Sequence, residues 1–506
     1  MARYHPDRQK NNLTGKLADF SANTFVRLKL NNWLGYLLLA GIACFIAWLL
    51  VQDILLGLVF FVALLGIFLI FFCMINVQAG FYLMLSFGFF GCFISNALLK
   101  GSLPVGLVLD GLVLINFLGL LVSRKDFRQQ WKTFVRRPVV IVMILSFCYG
   151  TLEMFNPNTS GASASNWLGD RKFLEFILIL FTAYVLLSSY QKIRQYTFIL
   201  LALSTLCALY GCIQEWHGLF PWELQAIMAN PLSYALLFSG GTFRKFGTLS
   251  DPAAFGIVMA ICALYFMILG IYEKNIRIRL LFFACTILML LGMSYSGTRT
   301  AYAVILAGIV FFILLNIDRP AIQKFGVVMV FIFLALMYGP FSGVATIRRF
   351  RSTFDGTKDE SYKVRIINRE FIKPYIREHP IGGGMGTTGL AGAIEHPGNP
   401  LANFMPDGAY VTRAAETGWI GLLINCIVYF VILRAAIQAY FRVKDQRLKV
   451  YYAAGASCIF AFYVGDYAQN ALGGPTDVGI YFAIIAMVLK QPDYDKNLET
   501  RPATEE

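Results

Sequence analysis

The chain has 506 residues, of which 58% are apolar and 14% charged, and it carries a formal net charge of +14. Soluble domains carry roughly 25% charged residues, and the mean hydropathy of +0.63 leaves more apolar surface than a water-soluble fold of this length can hide. A soluble enzyme, a disordered chain and a fibrous repeat are excluded. Long unbroken apolar runs, rather than short alternating strands, exclude a small β-barrel. The prediction is an all-α polytopic integral membrane protein of about 12–14 transmembrane helices, with one large extracytoplasmic loop containing short amphipathic helices.

Residues 1–32 are polar and hold Arg3, Arg8, Lys10, Lys16, Arg27 and Lys29. They lack the apolar core and small-residue cleavage site of a secretory signal, and read as a cytoplasmic tail. Since a span needs roughly 20 apolar residues, fourteen runs qualify: 33–51, 54–75, 78–98, 105–122, 139–153, 173–188, 196–214, 253–271, 280–294, 300–316, 325–341, 418–433, 450–465 and 477–489. The expected organisation is a tail at 1–32, a transmembrane bundle of about eleven spans at 33–341, an extracytoplasmic loop at 342–417, C-terminal spans at 418–490 and a tail at 491–506. With the N-terminus inside, the inner loops 123–138, 189–195, 272–279, 317–324 and 434–449 and the two tails (Lys490 included) hold 27 of the 43 Lys and Arg. That is a strong positive-inside signal, so the net charge reports orientation rather than a nucleic-acid partner. The ten cysteines fall in or beside apolar runs and form no C-x-x-C pair, which supports neither a disulfide framework nor a zinc site.

Five polar segments on the outer side remain for chemistry. The first, Gly241 to Gly256, carries Arg244 and Lys245 into a span; Arg244 offers a fork of donors suited to a phosphate, although an interfacial arginine more often snorkels to lipid headgroups. The second, Ser294-Tyr-Ser-Gly297-Thr-Arg299, is a tight turn holding Arg299 against the bilayer, where an arginine calls for a partner or is equally a turn residue bound to lipid phosphate. The third, Ser361 to Arg377, has helical period: Arg365, Arg369, Lys373 and Arg377 share one side, Val364, Ile367, Phe371 and Tyr375 lie opposite, and Pro374 should end or kink the helix near Lys373. It reads either as a basic interfacial helix or as a solvated face covering the bundle. The fourth, His379-Pro380-Ile-Gly382-Gly383-Gly384-Met-Gly386-Thr-Thr-Gly389, spells G-x-G-x-x-G, but no strand precedes it, so a dinucleotide site is rejected in favour of a flexible loop near a bulky substrate. The fifth, Pro406 to Gly421, carries Asp407, Arg413 and Glu416, with His396 eleven residues before Asp407; the carboxylates read as general bases or as ordinary caps and solvated charges.

Taken together and in this order, the segments from about 240 to 430 resemble the O-antigen ligase and polymerase superfamily of bacterial membrane glycosyltransferases. Arg244, Gly247 and Pro252 match the family's first arginine step. Arg299 after its Ser/Gly/Thr turn matches the second. Arg365, the run His379-Pro380-Ile381-Gly382, Gly384 and the run Asp407 to Gly421 match the long loop. Two positions depart from the ligase pattern: Asp407-Gly408 stands where ligases show His followed by Asn, Ser or Gln, and Ala303 stands where Leu is usual. Both favour a polymerase or another branch. The resemblance implies transfer of a glycan from a polyprenyl-diphosphate carrier to a glycan or lipid-core acceptor in the bacterial inner membrane, with no metal or other cofactor; the charge distribution puts both termini in the cytoplasm. It implies Arg244 and Arg299 at the leaving diphosphate, Asp407 or His396 as base, and Lys245, Arg365, Arg369 and Arg413 as substrate-binding residues. The rival class is a transporter or flippase of lipid-linked glycans, for which Asp110 within a span and Glu175 near a span end are the ionisable candidates. A non-catalytic scaffold for polysaccharide export is a third reading.

Overall fold

The computed structural model describes residues 33–499 apart from 53, 100, 102, 124–125, 160–163, 230, 240, 341–342, 344 and 355–359. The predicted N-terminal tail and the last part of the C-terminal tail lie outside the described residues. In chain order the helices are α1 (Trp33–Gln52), α2 (Ile54–Ile75), α3 (Val77–Leu99), α4 (Val105–Ser123), α5 (Phe127–Val135), α6 (Pro138–Glu153), α7 (Ala164–Leu186), α8 (Tyr190–Trp216), α9 (Pro221–Met228) and α10 (Pro231–Leu237). A hairpin of β1 (Phe238–Ser239) and β2 (Thr242–Phe243) follows. Then come α11 (Pro252–Tyr272), α12 (Ile276–Tyr295), α13 (Arg299–Leu315), α14 (Pro320–Tyr338), α15 (Ala345–Ser352), α16 (Glu360–Glu378), α17 (Gly389–Glu395), α18 (Ala409–Arg442), α19 (Gln446–Ala468) and α20 (Pro475–Glu499).

The protein is an all-α, multi-pass membrane protein. All fourteen predicted apolar runs fall on helices. Among the described residues, eight helices are long and apolar enough to cross a membrane on their own. A ninth span is possible by length from α5 and α6, which meet at a bend of 79°. The break follows from Pro138, which opens α6 at its first helical position after extended Arg137. Residues 127–135, which the sequence placed in a loop, are helical.

The chain forms two compact units: the described residues up to Met84 with Asp110–Lys132, and Leu85–Leu109 with Thr133 onward. In the first, α1 and α2 pack together through a Phe45–Phe60 edge contact at 5.4 Å. In the second, α11 is the central helix, buried along 89% of its apolar window against 11% for the peripheral α14. A helix apolar all round belongs in such a position, or against lipid. Asp110 lies partly buried on α4 of the first unit, and Glu175 partly buried on α7 of the second.

Three helices set the frame for the functional site. The N-terminus of α11, the C-terminus of α12 and the N-terminus of α13 meet at one end of the second unit. Asp251 caps α11 by accepting from the backbone N–H groups of Ala253 and Ala254. The turn from α12 to α13 is Ser296-Gly297-Thr298, with Gly297 at φ 61°. The second turn of α13 stands beside the C-terminal end of α19: a Cβ on Gly465 would lie 3.1 Å from Val304 Cγ2.

Candidate active site

Arg244 is held by the turn that bears Arg299. Its Nε donates to the Ser296 carbonyl at 3.0 Å, and its Nη2 to Thr298 Oγ1 at 2.9 Å. The Thr298 hydroxyl in turn donates a hydrogen bond to the Pro252 carbonyl at 2.7 Å, so the first turn of α11, the α12–α13 turn and Arg244 form one hydrogen-bonded unit. Gly256 makes this possible: a Cβ there would sit 2.5 Å from Ser296 Oγ and 3.0 Å from Thr298 Cβ. The backbone behind Arg244 is equally fixed. Its N–H extends the hairpin to the Leu237 carbonyl at 2.8 Å. Three residues on, fully buried Gln214 accepts from Gly247 N–H at 2.9 Å and donates to Glu223 at 2.8 Å.

A third arginine, which the motifs did not single out, completes the cluster. Arg349 on α15 lies against Gly297, so closely that a Cβ at that glycine would be 1.9 Å from Arg349 Nη1. The neighbouring Arg351 anchors α15 by donating to the Leu336 carbonyl at the end of α14, and Phe350 packs edge-on against Tyr302 of α13 at 5.4 Å. Arg244 is partly buried and within electrostatic reach of Arg349 and Arg299. Burial first, then the Arg349 charge, pull its pKa below the usual guanidinium value; Asp251 opposes this, and Arg299 adds a smaller depression. An arginine starts so far above neutrality that it remains a cation. Three guanidinium groups gathered around one turn form a strongly electropositive, donor-rich surface suited to a diphosphate.

The other predicted residues divide. Lys245 is 8% exposed and is committed inside the protein: its Nζ donates to the Phe243 carbonyl at 2.9 Å and pairs with Glu215 at 3.5 Å. Arg369 stacks on the Tyr467 ring at 4.2 Å and donates to that residue's carbonyl at 3.1 Å. Arg365 is partly buried on the same helix. Asp407 is partly exposed and accepts from Asn368 Nδ2 of α16 at 3.2 Å. His396 is 4% exposed, at the C-cap of α17. Arg413 lies within electrostatic reach of both Glu416 and Asp466.

Two buried aspartates that sequence reasoning missed lie near these groups. Asp466 on α19 is fully buried; it accepts from Tyr429 OH at 2.5 Å and from the Ala471 and Leu472 N–H groups. Asp477 on α20 is 2% exposed, within electrostatic reach of Asp466 and of the helix-capping Asp251, which in turn faces Arg244. Among the described residues, no three His, Cys, Asp or Glu side chains are grouped to hold a metal ion.

One expectation about the long loop is corrected. The glycine segment is not a flexible loop but a packed latch. Gly383 and Gly384 N–H groups donate to the Ala415 and Glu416 carbonyls, and a Cβ on Gly382 would lie 2.4 Å from the Glu416 carbonyl. Asn156 and Asn158 grip it from α6's end through the Ile381 and Gly382 carbonyls. Its docking partner is the break in α18 at Gly418, φ 68°, where a Cβ would meet the Pro380 carbonyl at 1.9 Å. Helix α16 continues to Glu378 with Pro374 inside it, so the proline does not end the helix near Lys373 and only the kink alternative is left. Its covered side is Asn368, Ile372, Tyr375 and Ile376, set against Leu401, Phe404, Val411 and Ala415. Val364, Ile367 and Phe371 point outward and are exposed.

Residues 284–426 match the family model described as O-Antigen ligase. The match supports the O-antigen ligase and polymerase superfamily. The matched segment takes in Arg299, Arg349, Arg365, Arg369, Asp407 and Arg413, and ends within α18 beyond the Gly418 break. Arg244 lies outside it and is joined to it by the hydrogen bonds to Ser296 and Thr298. No curated protein matches the chain.

Proposed function

We propose that this protein is a membrane glycosyltransferase that moves a glycan from a polyprenyl-diphosphate carrier to an acceptor sugar hydroxyl at the outer face of the bacterial inner membrane, as a polysaccharide polymerase rather than a ligase. The observation that carries this is the convergence of Arg244, Arg299 and Arg349 around the Ser296–Thr298 turn at one end of a membrane bundle. In the reaction the bond from the sugar anomeric carbon to the diphosphate oxygen breaks. The acceptor oxygen bonds to that carbon and gives its proton to a base, and polyprenyl diphosphate leaves. Negative charge grows on the leaving diphosphate, where preorganised guanidinium donors act most strongly in the transition state. The reaction as proposed requires no metal and no other cofactor.

Of the two candidate bases, Asp407 is favoured by its accessibility and its fixed orientation against Asn368, whereas His396 is buried at the C-cap of α17. Arg369 and Arg413 would hold the acceptor side. Lys245 supports the site from within, as a structural partner of Glu215. The positive-inside distribution favours cytoplasmic termini, which puts the arginine cluster on the outer face. The Asp407-Gly408 and Ala303 departures favour polymerase over ligase.

The test is incubation of purified protein with a polyprenyl-diphosphate oligosaccharide, followed by product mass. Longer lipid-linked glycan means a polymerase, and glycan moved to another acceptor means a ligase. The transporter reading predicts no product with competent donor and acceptors.

A further inference from the structure

We propose that the end of the bundle opposite the arginine cluster holds a second binding site, for a phosphate-bearing anion. Helices α11, α12 and α13 each have one terminus at the Arg244–Arg299 site. Their other termini line a separate cavity of about 410 Å³ with Leu269, Tyr272, Phe282 and Asn316, together with the ends of α18 and α19. The 21 residues of α11 separate the two places by about 30 Å, one hydrocarbon thickness.

The cavity is built, not incidental. Its floor is Asn316, fully buried, whose Oδ1 accepts from Tyr440 OH at 2.7 Å and Tyr272 OH at 3.2 Å, and whose Nδ2 donates to the Phe312 carbonyl. Arg319 Nη1 donates to Tyr272 OH at 3.2 Å, and its guanidinium lies over that ring at 5.5 Å. Lys449 stands over the Tyr440 ring at 5.0 Å. Two cations are thus oriented by neutral aromatic partners, which position a charge without cancelling it. Lys274 and Arg447 also line the cavity; among the described residues the one lining carboxylate is Glu273, and Asp445 answers Arg447. Asp318 stands near Tyr272 and Tyr440. The remaining wall, from Leu269 and Phe282, is apolar. A cavity of this size, with convergent donors and an apolar wall, fits a small ligand, and basic pockets between spans suit anionic headgroups. The ligand chemistry is a phosphate ester or diphosphate. Its source is an anionic lipid headgroup or a soluble phosphate compound.

The experiment uses the full-length protein in detergent and in lipid nanodiscs, as wild type, Arg319→Gln/Lys449→Gln and the more peripheral Lys274→Gln/Lys449→Gln. Native mass spectrometry reads retention of phosphatidylglycerol against phosphatidylcholine, and thermal unfolding reads stabilisation by sodium pyrophosphate. The expected result is at least a tenfold loss of one of these two responses in both variants, with phosphatidylcholine unaffected. Loss confined to phosphatidylglycerol identifies a lipid headgroup; loss confined to pyrophosphate identifies a soluble ligand. Wild type and both variants alike in both responses would overturn the proposal.

Discussion

Replacing Gly297 with alanine would test the arginine cluster through a residue that carries no charge. The position has φ 61°, and the added Cβ would lie 1.9 Å from Arg349 Nη1. Two costs follow. Left-handed backbone costs a non-glycine residue roughly 1–2 kcal/mol, which lowers unfolding temperature modestly in a chain of this size. The clash is relieved differently, because Nη1 is the free end of a flexible side chain. Ordinary carbon contacts lie near 3.5 Å, so the guanidinium must retreat by about 1.5 Å. A misplacement of about 1 Å at a reacting centre costs on the order of 100-fold, and loss of one charge-stabilising donor about 100–1,000-fold. Gly297→Ala should therefore lower glycan transfer per inserted molecule by roughly 100-fold while the protein stays folded. The assay is product mass from a polyprenyl-diphosphate oligosaccharide, with unfolding followed in detergent. The decisive comparison is non-additivity: placed on Arg349→Ala, Gly297→Ala should add little further loss, because the group it displaces is gone. Full activity in Gly297→Ala, or independent losses that multiply in the double variant, would refute the reasoning.

Arg244→Ala and Arg299→Ala should each reduce transfer by on the order of 100-fold or more without loss of insertion, measured by turnover against membrane-protein yield; near-normal turnover in either sinks the assignment. Arg244→Lys should fail to restore activity, since lysine cannot reproduce the fork that reaches the Ser296 carbonyl and Thr298 Oγ1 together. Asp407→Asn should lose turnover by roughly 100-fold with donor binding retained, whereas His396→Asn should act mainly on stability; the reverse pattern reassigns the base. Gly418→Ala meets the Pro380 backbone at 1.9 Å, which cannot swing away as a side chain can. It should undock the 380–389 latch, read as faster proteolysis of the loop between α16 and α18.

Much of the fold was legible in the sequence, because burying a backbone in lipid forces long apolar runs and leaves charges at their ends. The same constraint made Arg244 and Arg299 conspicuous as cations on the side that the positive-inside rule leaves poor. Arg349 was not conspicuous: it is one of ten basic residues in a long loop, and only its seat against Gly297 sets it apart. Asp466 and Asp477 were hidden for the opposite reason, as single carboxylates at the ends of apolar helices whose neighbours come from α11 and α18. The outward stripe of Val364, Ile367 and Phe371 shows the limit of periodicity, which finds a helix face but not the side it buries. Alone, the sequence determined that this is a membrane bundle with a few basic, glycine-punctuated segments at its ends, since hydrophobic length and local turn chemistry are properties of neighbouring residues. The tertiary structure decided which of those cations converge, that the glycines serve close backbone packing rather than mobility, and that a second cationic cavity lies at the far end of the same three helices. Such contacts join residues tens to hundreds of positions apart, and no local pattern encodes them.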